Sequence, residues 1–257
     1  MTLRYFLAFG LMACLGLAAC DTSNPGPQTG APDALPPGKQ VWVLNEGNFD
    51  WGQASLTAYS PASGDAAQNA FQSVAGRTLG NVGQSITIHD GLGYIVVNNS
   101  QKIEVVHTDS LAPVGTITGL QSPRHLLPLG DGRAYVSDLY ADGLHIVNLA
   151  TRQVTGFIAL PGWNAQMARA GSRVVVANRR SVNDARPGRE HLYLIDPEED
   201  RVVDSIYVGE NPGSLVQGQD GALWTAVART NTHDGPALVR VYADKRAAPA
   251  TYPLPSG

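Results

Sequence analysis

The chain has 257 residues, a formal net charge of −4 and 43% hydrophobic residues. This length suits one large domain or two small ones, and the hydrophobic content is sufficient for a packed core. The acidic balance argues against a nucleic-acid-binding protein. Glycine (28 residues) and proline (17 residues) are both frequent, which is typical of many short strands joined by turns.

The first residues predict an export signal. Arg4 is the only charge before an apolar run from Leu7 to Leu17, which at about eleven residues is too short to span a bilayer. The run ends in Leu-Ala-Ala-Cys at 17–20, which resembles the lipobox of bacterial lipoproteins. That resemblance implies that residues 1–19 are removed and that Cys20 is lipidated, with an ordinary signal peptide as the alternative.

A lipidated Cys20 would anchor the mature protein to a membrane of the bacterial cell envelope, and we expect the outer membrane or cell surface. Residues 20–39 are rich in proline and glycine, which predicts an extended tether. Cys14 lies inside the apolar run, so the mature chain would keep no thiol for a disulfide, a metal or a nucleophile. The folded domain is expected to span residues 40–257.

One five-residue pattern recurs throughout that domain. Its copies are VWVLN at 41–45, YIVVN at 94–98, AYVSD at 134–138, VVVAN at 174–178 and LWTAV at 223–227. Copies at intervals of about 40 to 53 residues, with strand-like segments and turns between them, predict an all-β β-propeller of four-stranded antiparallel blades. A β-sandwich with irregular strands is the alternative.

Each copy is predicted to be the second of four strands in its blade. Asp-Gly pairs at 90–91, 131–132 and 220–221 predict tight hairpins before this strand. Residues 41–71 supply only the last three strands of a blade, and no helix is expected after the signal peptide. We therefore expect four complete blades plus three strands of another. Because a missing inner strand would expose a sheet edge, the chain is expected to be a fragment of a larger ring, incomplete at the C-terminus.

The repeats resemble those of the YVTN/YncE-like β-propellers. The matching segments are Tyr94–Asn98, Val174–Asn178, Leu194–Asp196 and Val208–Pro212. The segments 45–48, 79–84 and 96–105 are similar to surface lipoproteins of Bacteroidota, in which seven-bladed propellers capture cobalamin and pass it to a TonB-dependent transporter. This resemblance implies a seven-bladed ring, a bound corrinoid and an outer-membrane transporter as partner, with no cofactor required. The chain is too short for seven blades.

Two sets of loops open on the same face of a propeller, here called the loop face. One set joins the second strand of each blade to the third, and the other leads into the first strand of each blade. We expect a ligand-binding surface there, since aromatic rings give contact area and asparagine or arginine gives directed hydrogen bonds. The candidate residues are Asn45, Glu46, Phe49, Trp51, Asn98, Asn99, Arg124, His125, Tyr140, Trp163, Asn164 and Arg179. The alternative for each aromatic residue is packing between blades. The polar insertion at 179–190 also falls on this face.

Catalytic signatures such as G-x-S-x-G and H-E-x-x-H are missing from the sequence, and we do not expect an enzyme. The six histidines show no helical metal-binding spacing, and the acidic run at 196–200 is interpreted as a solvated turn. Two alternatives stay open. One is a divalent-metal lactonase or lyase that uses Glu46, Asn98, Asp138 and Asn178, and the other is a protein-interaction or surface scaffold without a small ligand.

Overall fold

The computed structural model describes residues 35, 39–49, 52–179 and 190–255. The predicted signal peptide, the predicted lipidation site Cys20, most of the tether, Trp51 and ten residues of the polar insertion (180–189) lie outside the described residues. Neither of the two helices in the described part of the chain is long and apolar enough to cross a membrane.

The described residues form five antiparallel sheets, each of which joins consecutive strands of the chain. The first sheet contains β1 (Val41–Asn45), β2 (Ser55–Tyr59) and β3 (Ala66–Ala67). The second contains β4 (Gly83–His89), β5 (Leu92–Val97), β6 (Lys102–His107) and β7 (Pro113–Ile117). The third contains β8 (Pro123–Pro128), β9 (Arg133–Asp138), β10 (Gly143–Asn148) and β11 (Gln153–Ala159). The fourth contains β12 (Trp163–Ala170), β13 (Arg173–Arg179), β14 (His191–Asp196) and β15 (Arg201–Tyr207), and the fifth contains β16 (Leu215–Gln217), β17 (Leu223–Val227), β18 (Ala237–Val241) and β19 (Ala250–Pro253).

The predicted all-β propeller of four-stranded blades is confirmed. The five copies of the repeated pattern fall on β1, β5, β9, β13 and β17. The last four are the second strands of their blades, and β1, which begins the three-stranded sheet, corresponds to them in the repeat. The Asp-Gly pair at 90–91 makes a two-residue hairpin in which both residues have positive φ, 48° for Asp90 and 73° for Gly91. This is the backbone geometry that the right-handed twist of paired strands favours.

The first strands of successive blades lie side by side, with β4 next to β8, β8 next to β12, and β12 next to β16. Polar side chains hold these neighbours together. The hydroxyl of Ser85 donates to the carbonyl of Arg124 (2.7 Å), and that of Thr87 donates to the carbonyl of Leu126 (2.8 Å). The side-chain oxygen of Gln166 accepts the N–H of Leu215 (2.7 Å). The inner strand of the second blade is therefore bonded to the third blade, and that of the fourth blade to the fifth.

Apolar side chains fill the spaces between blades. The second strands β5, β9 and β13 are buried on both faces, which explains why their sequences read as continuous apolar runs rather than as alternating ones. The strand β1 is different, because Val41 and Val43 are exposed while Trp42 and Leu44 pack toward the second blade. Among the described residues, the first blade has three strands, in agreement with the sequence analysis.

The prediction of no helix is wrong in the segment that follows β3. A six-residue helix, α1 (Ala70–Ala75), buries Ala70 and Phe71 in the core between the first and second blades, which includes Leu56 and Ile95. It ends at Gly76, which has φ 67° and donates its N–H to the carbonyl of Gln72. With fewer than two turns, the helix shows too little of the 3.6-residue period to be recognised in the sequence. A short 3₁₀ turn also forms at Asn98–Ser100.

A buried carboxylate ties this helical segment to the second blade. Glu104 on β6 is fully buried and accepts two hydrogen bonds from the guanidinium of Arg77 (2.7 and 2.8 Å) and one from the ammonium of Lys102 (2.6 Å). The hydroxyl of Thr116 lies 3.2 Å from the same carboxylate. Burial alone would raise the pKa of Glu104, but the hydrogen bonds from Arg77 and Lys102 outweigh it and lower the pKa.

We predict that Glu104→Gln lowers the free energy of unfolding by about 1–3 kcal/mol, because it removes the charge-assisted hydrogen bonds that Arg77 and Lys102 donate to a buried carboxylate. The measurement is urea denaturation at neutral pH. The stabilisation by Glu104 is present above the pKa of the unfolded state and is lost as the pH falls through the lowered pKa of the folded state. The matched control is Glu199→Gln, which breaks an exposed pair with Arg201 and should change stability little. Equal effects of the two substitutions would contradict the prediction.

Candidate functional site

The order of strands in each blade brings the end of every second strand next to the start of a first strand. The side chain at the end of the second strand is Asn45, Asn98, Asp138 or Asn178 in the first four blades. Three of these four residues are buried. Their hydrogen bonds determine how the loop face is built.

Asp138 is the most highly bonded of these residues. Its carboxylate is 0% exposed and accepts the backbone N–H groups of Gln121, Ser122, Tyr140 and Ala141 at 2.9 to 3.2 Å. Burial by itself would raise the pKa of Asp138, but His145 and these N–H groups lower it. His145 lies beside the carboxylate, with Nε2 3.4 Å from Oδ2. The carboxylate thereby joins the loop that enters β8 and the loop that follows β9 to the blade.

Two predicted ligand-binding residues have the same structural role. The amide of Asn98 (8% exposed) donates to the hydroxyl of Ser122 and to the carbonyl of Pro123, both at 2.9 Å. Asn164 is 0% exposed; it donates to the carbonyl of Leu160 (2.8 Å) and accepts from the amide of Asn178 (2.9 Å). These amides are committed to hydrogen bonds within the fold. Sequence reasoning missed this role, although the recurring Asn or Asp at the fifth position of the repeat was its signal.

Asn45 and Asn99 have more open surroundings. Asn45 is exposed, and its amide donates to the hydroxyls of Ser55 (3.0 Å) and Thr57 (3.1 Å) on β2. Asn99 is exposed in the 3₁₀ turn. Phe49 is 61% exposed in the loop after β1. These three side chains can reach a ligand at the loop face, and the neighbouring candidate Trp51 lies outside the described residues.

Four predicted residues from separate loops do lie together. Arg124, half-buried at the start of β8, is within electrostatic range of Arg179, Glu46 and Tyr140. Burial is the main cause that lowers the pKa of Arg124, and the positive charge of Arg179 lowers it further. The negative charge of Glu46 acts in the opposite direction. Within the described part of the chain, neither guanidinium makes a hydrogen bond or an ion pair.

Two aromatic rings complete this group. The rings of Tyr140 and Trp163 meet edge to face, with centroids 6.4 Å apart and an interplanar angle of 73°. Trp163 is the direct strand partner of Arg179 in the β12–β13 ladder, and Tyr140 is 63% exposed. We call Glu46, Arg124, Tyr140, Trp163 and Arg179 the loop-face cluster. It combines two positive charges, neither of them paired within the described ranges, with an aromatic surface, which suits a ligand with an anionic group and a ring.

The residues of the alternative metal site are not assembled in this way. Asn98, Asp138 and Asn178 are occupied by the hydrogen bonds described above, and Glu46 is exposed in the first loop. In the described ranges, no three His, Cys, Asp or Glu side chains are grouped so that they could hold a metal ion.

Residues 39–245 match the model of a protein family described as "Domain of unknown function (DUF5074)". No curated protein matches the chain. Solved structures with a similar fold include the extracellular domain of the hybrid two-component system BT3049 from B. thetaiotaomicron (13% identity, TM-score 0.61). This match covers 85% of the chain and 27% of BT3049.

A second similar structure is the quinonprotein alcohol dehydrogenase-like protein BT1487 from Bacteroides thetaiotaomicron, with 14% identity and a TM-score of 0.61 over 83% of the chain and 51% of BT1487. A third is the WD40 β-propeller domain of Doa1, with 11% identity and a TM-score of 0.54 over 78% of the chain and 64% of that domain. The chain thus spans less than two thirds of the length of each of these structures. At these identities the similarity establishes the propeller fold alone.

His125, which follows Arg124 on β8, gives a pH test of the site. Burial, as the main cause, and the positive charge of Arg124 lower the pKa of the His125 imidazole from 6.5 to about 4. Between these two values the unfolded chain binds more protons than the folded one, so the free energy of unfolding should fall as the pH decreases from 6.5 to 4. We predict a titration near pH 4 for His125 by NMR, and an upward shift in Arg124→Gln. A pKa of 6 or above would contradict the buried position of this ring.

Proposed function

The chain belongs to the DUF5074 family, and we propose that it is a non-enzymatic, lipid-anchored binding protein of the bacterial cell envelope that captures a ligand on its loop face. The observation that carries this proposal is the loop-face cluster, in which two guanidinium groups that have no hydrogen-bonded partner among the described residues lie beside an edge-to-face aromatic pair. The sequence of the first twenty residues supports the lipid anchor.

The electrostatics of the cluster favour an anionic group on the ligand. Arg124 and Arg179 repel each other, and Glu46 balances only one of the two charges. A phosphate or carboxylate between the guanidiniums would relieve the repulsion and accept charge-assisted hydrogen bonds, which are stronger than neutral ones. Since Arg124 is half-buried, its interaction with such a group is less screened by water than it would be on an open surface.

The aromatic pair favours a ligand that also carries a ring. Tyr140 and Trp163 offer rigid surface at a low cost in side-chain entropy, and Phe49 adds an exposed ring on the same face. A corrinoid such as cobalamin has both features, because its nucleotide loop contains a phosphodiester and a benzimidazole base. The sequence resemblance to cobalamin-binding surface lipoproteins supports the same ligand. We further propose that a TonB-dependent transporter in the outer membrane receives it.

The metal-dependent lactonase or lyase has less support than the binding role. A metal ion at Asp138 would have to compete with four backbone N–H donors for a fully buried carboxylate. No such cost applies to an anion at the loop-face cluster. A scaffold without a small ligand is the remaining alternative, and ligand titration tests it directly.

We predict that cyanocobalamin binds the purified domain, and that Arg124→Gln and Arg179→Gln each weaken binding about ten- to one-hundredfold, because each removes a charge-assisted hydrogen bond. Isothermal titration calorimetry measures the dissociation constant. The matched control is Arg201→Gln on the exposed outer strand β15, which should leave binding unchanged.

The outcomes separate the proposals. If both arginine variants bound cyanocobalamin with the dissociation constant of the wild type, the loop-face cluster would be excluded as the binding site. No heat with the wild-type domain would exclude the corrinoid. Metal-dependent hydrolysis of lactones by the same preparation would instead support the enzymatic alternative.

A further inference from the structure

The space between the fourth and fifth blades contains a cavity that is separate from the loop-face cluster. Val239 and Val241 on the third strand β18 and Val208 after β15 are almost fully buried between the two blades. Next to them, a cavity of about 530 Å³ remains between the blades. It lies between β15 on one side and β18 with the loop 242–249 on the other. We call this cavity the outer groove.

At this distance from the centre, the spaces on the two sides of the third blade are filled. Between the second and third blades, the side chain of Arg152 lies directly against Gly115. A Cβ atom added to this glycine would be only 2.5 Å from Nε of Arg152. Between the third and fourth blades, the outer strands β11 and β15 contact each other. The outer groove is thus a local departure from the packing of the preceding blades rather than a general property of the repeat.

The floor and one wall of the outer groove are apolar. Ile206 and the three valines form the floor, and the segment Ala247–Pro249 forms the wall. The volume falls in the range of small-molecule sites, about 300–1,000 Å³, and such sites are mostly lined by apolar groups with a few polar ones. The floor residues are rigidly held by their place in the core between the blades.

Polar residues complete the lining, and they include a group at each end of the groove. Thr230, Asn231 and Thr232 belong to the loop between β17 and β18 and lie at the end next to the loop face. At the other end, the ammonium of Lys245 pairs with the carboxylate of Asp204 at 2.5 Å. Because these two charges neutralise each other, the outer groove offers hydroxyl and amide groups but no net charge.

The same ion pair argues against an added peptide strand as the occupant. β15 lies at the edge of its sheet, where an extended peptide could pair with it. The carboxylate of Asp204, however, accepts the N–H of Ser205 at 2.8 Å, so part of this edge is already bonded. A charged residue held on an edge strand is one of the features by which proteins prevent strand addition.

We propose that the outer groove binds a small, neutral, amphipathic molecule. Its apolar body would cover Ile206, Val239 and Val241, and its hydroxyl or carbonyl groups would face Thr230 to Thr232. The site is independent of the proposed function, because it shares no residue with the loop-face cluster and has a different electrostatic character.

The test uses N-phenyl-1-naphthylamine, a neutral apolar dye whose fluorescence rises in apolar surroundings. We expect saturable binding of one dye per protein. Ala248→Phe, at an exposed position on the wall of the groove, should weaken binding at least tenfold by filling the cavity. Ala159→Phe, at an exposed position on the outer strand β11, is the matched control and should bind the dye as the wild type does.

Three results would overturn the proposal. The first is the lack of saturable binding by the wild type. The second is unchanged binding in Ala248→Phe, which would place the dye on another surface such as the exposed side chains of Val216 and Tyr252. The third is equally tight binding of the anionic dye 8-anilinonaphthalene-1-sulfonate, which would show that the groove is not selective for neutral ligands. Circular dichroism of both variants verifies that they fold, and Ala247→Phe provides a second blocking variant.

Discussion

The loop face depends on hydrogen bonds made by one side chain at the end of each of the second strands β5, β9 and β13. An isolated carboxylate or amide in an apolar interior costs several kcal/mol, so these side chains are tolerated only with their full set of partners. Asp138 accepts four backbone N–H groups, and Asn98 and Asn178 each donate to two acceptors in the neighbouring loops. The loops have no regular sheet to order them. These polar contacts fix their positions, and therefore the positions of Arg124, Tyr140 and Trp163.

This constraint explains how two arginines can lie close together with no partner in the part of the chain that the structure describes. On a mobile surface, Arg124 and Arg179 would move apart or turn toward a carboxylate, because their repulsion falls with distance. Here Arg179 continues the β13 strand opposite Trp163, and the β8 strand that carries Arg124 is bonded to Ser85 and Thr87 of the preceding blade. The backbone is thus held at both positions by bonds that do not involve the guanidiniums. A fixed arrangement of like charges is preorganised for an anion, since little further ordering is needed on binding.

Much of the fold could be predicted because the repeated sequence pattern follows from a physical requirement of the propeller. A second strand that is packed between two blades must be apolar on both faces, and the chain meets that requirement at 94–97, 134–136 and 174–177. The helix α1 could not be predicted in this way, since Ala70–Ala75 contains too few residues to show a period. The topology also correctly brought Arg124, Tyr140 and Trp163 to one face, because strand order alone determines at which edge each loop lies.

The direction in which a side chain points does not follow from strand order, and this limited the prediction of the site. Asn98, Asn164 and Asn99 all occur in segments of the loop face, yet the first two are buried and only the third is exposed. A polar residue type is compatible with either outcome, and tertiary hydrogen bonds decide between them. Whether a charged side chain is available to a ligand likewise depends on its tertiary partners. Lys245 is neutralised by Asp204 across the outer groove, whereas Arg124 has no ion-pair partner among the described residues. The same propeller framework therefore presents one surface suited to an anion and one cavity suited to a neutral molecule, and short-range pairing rather than the net charge of the chain makes the difference.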